Sequence, residues 1–137
     1  MSDLSVTSGS VLASSNATTA NVTAGETITA GQAVYRKTAD GLYYKADSNS
    51  GTSEAQTPTG IALNGASAGQ PLKIAMEDSD FTPGATITEG ELYVLSGTAG
   101  GIAPVADLVT GMKVSAIGVG KATNKLALKI VTGGTVQ

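Results

Sequence analysis

One stretch of this chain occurs twice, and that repetition constrains the fold more than any other feature. Gly25-Glu26-Thr27-Ile28-Thr29-Ala30-Gly31-Gln32-Ala33-Val34-Tyr35 returns as Gly84-Ala85-Thr86-Ile87-Thr88-Glu89-Gly90-Glu91-Leu92-Tyr93-Val94. In both copies two glycines bracket a Thr-Ile-Thr core, and an apolar pair follows. Glycine gives the backbone freedom that a tight reversal needs, and β-branched residues favour the extended pleat between reversals. The stretch predicts turn, short strand, turn, strand, twice over.

The self-similarity continues past that motif with small changes of spacing. Asp40-Gly41-Leu42-Tyr43-Tyr44-Lys45-Ala46-Asp47 lines up with Gly100-Gly101-Ile102-Ala103-Pro104-Val105-Ala106-Asp107. Thr59-Gly60-Ile61-Ala62 answers Ile117-Gly118-Val119-Gly120, and Leu72-Lys73-Ile74 answers Leu128-Lys129-Ile130. A chain rich in Gly, Ala and Thr matches itself in places by composition alone, but composition does not keep four blocks in order. Residues 25–83 and 84–131 therefore read as two related β units inside a single β domain spanning 25–137.

Composition narrows the rest. At 137 residues, one domain with its own core is expected. With one Phe, four Tyr and no Trp, that core must be built from Val, Ile, Leu and Ala. No stretch sustains apolar residues at helical spacing, so the fold class is all-β. The chain has no His and no Cys, which removes Ser-His-Asp and Cys-His catalysis, disulfides and the usual zinc ligands. The formal charge of −3 and the lack of a basic run argue against nucleic acid as a partner. No apolar run is long enough to cross a bilayer as a helix, and no secretion signal is apparent, so a soluble protein with no membrane partner is expected.

Residues 1–24 are almost all small or hydroxylated, with Leu4, Val6, Val11, Leu12 and Val22 as the larger apolar side chains. Alone, such a segment buries too little to offset the entropy of ordering it. It reads either as a frayed terminus or as an extended N-terminal arm that becomes a strand beside a partner's sheet edge. In the second case Leu4, Val6, Val11 and Leu12 are the candidate binding residues. Asn16-Ala17-Thr18 and Asn21-Val22-Thr23 fit the glycosylation pattern, but without a secretion signal they carry no weight. Further along, Thr38-Ala39-Asp40-Gly41 predicts a hairpin turn. Asp47 to Pro58 reads as a loop, Ile61-Ala62-Leu63 as a strand and Pro71–Met76 as a half-buried strand. Glu77-Asp78-Ser79-Asp80 reads as a solvated acidic turn, since it lacks the glycine and terminal Glu of a calcium loop. Phe81 is expected at the seam between the units. A continuous strand over Leu92–Leu95, an edge strand over Ile102–Val105 interrupted by Pro104, one helical turn over 105–111, strands over 114–119 and 126–131, and a tail from Thr132 complete the plan.

Chemistry finds little purchase. Gly118-Val119-Gly120-Lys121-Ala122-Thr123 resembles a phosphate loop only superficially, because Ala122 stands where Ser or Thr must follow Gly-Lys. Glu89 and Glu91 lie two apart on an expected strand, among Thr and Gly that offer no desolvating pocket. No enzyme and no cofactor are expected.

The repeated motif and its sequel resemble the head decoration, or capsid cement, proteins of tailed bacteriophages. The resemblance is carried by Ile28 to Tyr35, by Asp40 to Asp47, and above all by Pro58-Thr59-Gly60-Ile61-Ala62-Leu63-Asn64-Gly65-Ala66-Ser67-Ala68-Gly69-Gln70-Pro71. It implies a small β-barrel or β-sandwich that sits on the virion's outer capsid surface after synthesis in the host cytoplasm. It also implies a homotrimer whose partner is the major capsid protein, and an N-terminal arm in that contact. The competing reading is a receptor- or glycan-binding module of a fibre or adhesin, with Tyr35, Tyr43, Tyr44 and Tyr93 as the stacking candidates.

Overall fold

The computed structural model describes residues 3–48, 54–107 and 113–135. They form ten strands: β1 Val11–Leu12, β2 Thr18–Thr23, β3 Ala33–Arg36, β4 Tyr43–Lys45, β5 Gly60–Ala62, β6 Pro71–Pro83, β7 Leu92–Leu95, β8 Ile102–Pro104, β9 Lys113–Ala122 and β10 Lys125–Thr135. The strands pair along the path β4-β3-β5-β6-β10-β9-β7-β8, with β1 and β2 also on β6. Every pairing between these strands is antiparallel. The architecture is all-β, one curled, half-barrel-like sheet.

β6 is the spine. Its 13 residues alternate buried Leu72 and Ile74 with exposed Lys73, as a strand covered on one side requires. Ala75 faces both Ile61 of β5 and Thr19 of β2, while Glu77 faces both Lys129 of β10 and Thr18 of β2. One edge of β6 therefore carries β5 and then β10, and the other edge carries β2 and then β1. The first half of β6 belongs to the half of the curled sheet that holds β3, β4 and β5, called the first sheet below, and its second half to the half that holds β7 to β10, called the second sheet.

Two apolar clusters follow from this geometry. Ile28, Val34, Ala62, Leu72 and Ile74 pack together on one face of the first sheet. Ala33, Ile61 and Ala75, on its other face, pack with Phe81, Tyr93, Ile117, Leu126 and Leu128 in the larger cluster. Phe81 is fully buried there, where the two sheets meet. Each Val, Leu, Ile or Phe side chain so removed from water contributes about 1.5–3 kcal/mol before the entropy of folding is subtracted.

The pairings in the two halves run in parallel. Val34 faces Lys45 of β4 and Gly60 of β5; Tyr93 faces Pro104 of β8 and Gly118 of β9. Gly31 (φ 94°) donates its N–H to Ala62 O, and Gly90 (φ 82°) donates to Gly120 O, both at 2.8 Å. The hairpin between β3 and β4 turns over Thr38 to Gly41, with Gly41 in the left-handed region, and β8 with Pro104 is an end strand of the path.

Several expectations need correction. The acidic run Glu77 to Asp80 is no turn but the middle of β6, and Asp78 is buried. Its polarity is absorbed by hydrogen bonds rather than by solvent. Glu89 and Glu91 sit in and just after the turn at Gly90, not on a strand. The tail from Thr132 is strand as far as Thr135, because β9 continues beside it to Lys113. The expected helical turn is a short 3-10 turn at Val105–Asp107; Leu108 to Gly111 lie outside the described residues, as does the middle of the loop between Asp47 and Pro58. Most important, residues 3–24 do not stand away from the body. β2 and β1 lie along β6, so the segment expected to be an arm adds strands to the chain's own sheet.

Candidate functional site

The four candidate binding residues lie on a segment that runs along the second sheet. At its start, Leu4 N–H donates to Ile102 O of β8 at 2.8 Å, and Ser96 Oγ donates to Asp3 Oδ1 at 2.6 Å. Thr7 N–H then donates to Gly84 O at 2.8 Å, a 3-10 turn follows at Ser8–Ser10, and Val11 and Leu12 face Pro83 and Thr82. The segment bridges from the edge of β8 to the end of β6. In the first sheet the corresponding seam closes without help, by Gly25 N–H donating to Tyr43 O at 2.7 Å.

Glycines make room for this bridge. A Cβ on Gly31 would lie 2.5 Å from Val6 Cγ1, and one on Gly84 would lie 2.6 Å from Thr7 O, besides the strain of its φ of 78°. Leu4 and Val6 are half-buried against the main cluster and Val11 is buried, whereas Leu12 is 64% exposed. Three of the four candidates therefore face the body, and Leu12 alone is offered outward.

The segment is fastened at its far end by Asp78. Ser14 donates both its N–H (2.7 Å) and its Oγ–H to the Asp78 carboxylate, and Asp80 N–H donates at 3.0 Å. Burial pushes the Asp78 carboxyl up, but the Ser14 side-chain and backbone bonds, the Asp80 N–H and the charge of Lys125 outweigh it and hold it below its ordinary range. The sequence offers no obvious signal for this fastening, since nothing in Glu77-Asp78-Ser79-Asp80 marks one carboxylate as buried.

Beside Leu12 lies a shallow open groove of about 340 Å³, lined by Ser5, Thr7, Ser10, Thr82, Thr86 and Asn124 among others. Its walls are uncharged and rich in hydroxyls, and Thr82, the cross-strand neighbour of Leu12, forms part of them. Such a surface can hydrogen-bond an extended backbone while Leu12 contributes apolar contact. It holds no acid–base pair, and no group of three or more metal-ligating side chains occurs among the described residues.

The tyrosines are dispersed. Tyr93 is buried, its hydroxyl accepting the Thr88 N–H at 2.9 Å, and Tyr43 packs on the smaller core cluster. Tyr35 and Tyr44 form a tilted cross-strand pair with ring centroids 6.2 Å apart. Tyr44 donates its hydroxyl to Asp40 Oδ2 at 2.6 Å, and Lys37 Nζ lies 5.1 Å from its ring centroid. That hydrogen bond raises the Tyr44 phenol and lowers the Asp40 carboxyl. The phosphate-loop lookalike is strand: Gly118, Val119 and Gly120 all pair with β10.

Fold and site together describe a small β protein on which Leu12 stands exposed beside a hydroxyl-lined groove, with Val105, Val119 and Val131 exposed elsewhere. No protein-family model matches the chain, and no curated protein matches it significantly.

Proposed function

We propose that this chain is a head decoration protein of a tailed bacteriophage. In this reading a homotrimer of β bodies binds the outer surface of the major capsid protein shell and holds it against the pressure of packaged DNA. The observation that carries the reading is the resemblance and where its residues fall. Ile28 to Tyr35 makes the turn into β3 and most of β3, Asp40 to Asp47 makes the hairpin and β4, and Pro58 to Pro71 makes β5 and the turn into β6. The three runs thus build one contiguous framework of paired strands, not a scatter of matches.

A cement acts through many modest contacts multiplied by symmetry, and needs no deep cavity. About 800 Å² per subunit is enough for a specific contact, and a trimer gains further through effective concentration. The contact falls to the surface around Leu12 and its groove, with Leu4, Val6 and Val11 supporting it from beneath. The arm is then shorter than 1–24 and binds as part of the body.

The body in this reading is two copies of one β unit. Supporting this, Gly60 and Gly118 occupy equivalent places, each without room for a Cβ because a carbonyl approaches, Ala75 O in one case and Ala127 O in the other. The second half of β6 stands to β10 as β2 stands to the first half of β6. The units accordingly begin near Thr18 and Glu77, ahead of the divisions read from the sequence at Gly25 and Gly84.

The test is co-sedimentation of the purified protein with undecorated heads of the phage whose genome carries it. Saturable binding at a fixed ratio to the capsid subunit is expected. Leu12→Asp should weaken it at least tenfold while leaving the circular dichroism spectrum unchanged. No binding by the folded wild-type protein, or complete virions that lack this polypeptide, would overturn the reading.

A further inference from the structure

The strand edges of this fold are not treated alike. The outer edge of β4 is met by residues 24–26: Gly25 N–H donates to Tyr43 O at 2.7 Å, and Lys45 N–H donates to Glu26 Oε2 at 2.8 Å. The β8 edge carries Pro104 and is met by Leu4, and the β6 edge is covered by β2 and β1. The outer edge of β2 over Thr18 to Val22 has no strand beside it among the described residues. Nor does it carry the usual guards, since Thr18-Thr19-Ala20-Asn21-Val22 contains no charge and no proline. An uncharged, unguarded edge is a template for another strand.

Which groups it offers follows from register. Ala24 N–H donates to Gln70 O across the β2–β6 pairing, so residues at even positions of β2 turn their backbone groups toward β6. Lys73, opposite Asn21, agrees, because its carbonyl accepts Leu63 N–H from the β5 side. Thr19 and Asn21 therefore direct N–H and C=O outward, and their side chains are exposed.

We infer that the bare edge of β2 pairs with β2 of a second copy, antiparallel across a two-fold axis that passes beside Ala20. This register is self-complementary. Thr19 exchanges both backbone hydrogen bonds with Asn21 of the second copy, and Asn21 with Thr19, so every outward group of these two residues is satisfied. Ala20 meets its own symmetry mate at the axis, where its methyl leaves room for close approach. No charge opposes its like, because this part of the strand has none. A contact of this kind between neighbouring copies is independent of what else the protein binds.

The experiment uses the full chain, which has no native cysteine to confuse cross-linking. Ala20→Cys should form a covalent dimer under mild oxidation, because directly opposed residues of a non-hydrogen-bonded antiparallel pair have the Cα separation a disulfide needs. Asn16→Cys, exposed but out of register, should not exceed the background. Sedimentation velocity should give the cysteine-free protein a larger assembly mass than its Thr19→Lys variant at the same concentration, whatever other contact joins the copies. Asn21→Pro, which removes one outward N–H, or Thr19→Lys, which adds charge to the edge, should raise the dissociation constant at least tenfold. A folded Thr19→Lys variant that associates as the wild type does, or Ala20→Cys cross-linking no faster than the control, would overturn the inference.

Discussion

Replacing Asp78 with Ala tests whether the N-terminal segment is held by one buried carboxylate. The residue is 1% exposed and accepts three hydrogen bonds, from Ser14 N–H, Ser14 Oγ–H and Asp80 N–H. A hydrogen bond to a charged group contributes about 1.5–3 kcal/mol, and a buried donor left without its acceptor costs about 1–3 kcal/mol. The three donors are only partly buried, and water can reach some of them once the carboxylate is gone. A loss of about 3 kcal/mol is therefore expected, equivalent to roughly 10 °C in melting temperature for a chain of this size. Urea unfolding followed by far-ultraviolet circular dichroism measures it. Ser14→Ala should cost less, and the double variant should fall well short of the sum of the two. The same carboxylate also predicts the acid limb of stability. Its folded value lies below the ordinary 3.8, so its contribution is present above that value and fades as pH falls through the folded one. Asp78→Asn should flatten that limb. A folded Asp78→Ala variant within about 0.5 kcal/mol of wild type would refute the reasoning, as would simple additivity with Ser14→Ala.

Two further outcomes follow from packing and backbone geometry. Gly84→Ala places a methyl at 2.6 Å from Thr7 O on a backbone with φ of 78°, and should cost about 2 kcal/mol while speeding proteolysis before Leu12. Phe81→Ala should cost about 3–5 kcal/mol in urea unfolding, because a fully buried ring at the meeting of the two sheets leaves a cavity that neither can close alone.

What the residues reveal in advance depends on whether their information is local. Alternation marked Leu72 and Ile74 as inward, the glycines at 31, 41 and 90 marked turns, and Pro104 marked an end strand; each rests on the chemistry of a few neighbouring positions. The pairings of β3 with β4 and β5, and of β7 with β8 and β9, run alike, although the hairpin blocks seen in the sequence align one residue away from them. Arg36 faces Tyr43 as Leu95 faces Ile102. The last block misleads further, since Ile74 lies opposite Ala62 while Leu126 lies opposite Gly120. Composition hid the rest. A hydroxylated, apolar-poor segment such as 3–24 looks unable to order itself, and its order comes from an edge supplied by β6 and from glycines far along the chain. Asp78 misleads in the same way, because the partner that makes its burial tolerable is Ser14. Of the candidate contact residues, Leu12 alone emerged outward, and no local pattern separates it from Val11.

β6 has one further consequence. A single unbroken strand serves both halves of the sheet, so no linker separates them along β6. Any protease cut, inserted tag or split-protein boundary between Ala75 and Asp78 severs a member of two ladders at once. Mechanical load applied to either sheet is passed directly to its neighbour, which makes the body respond to pulling as one piece.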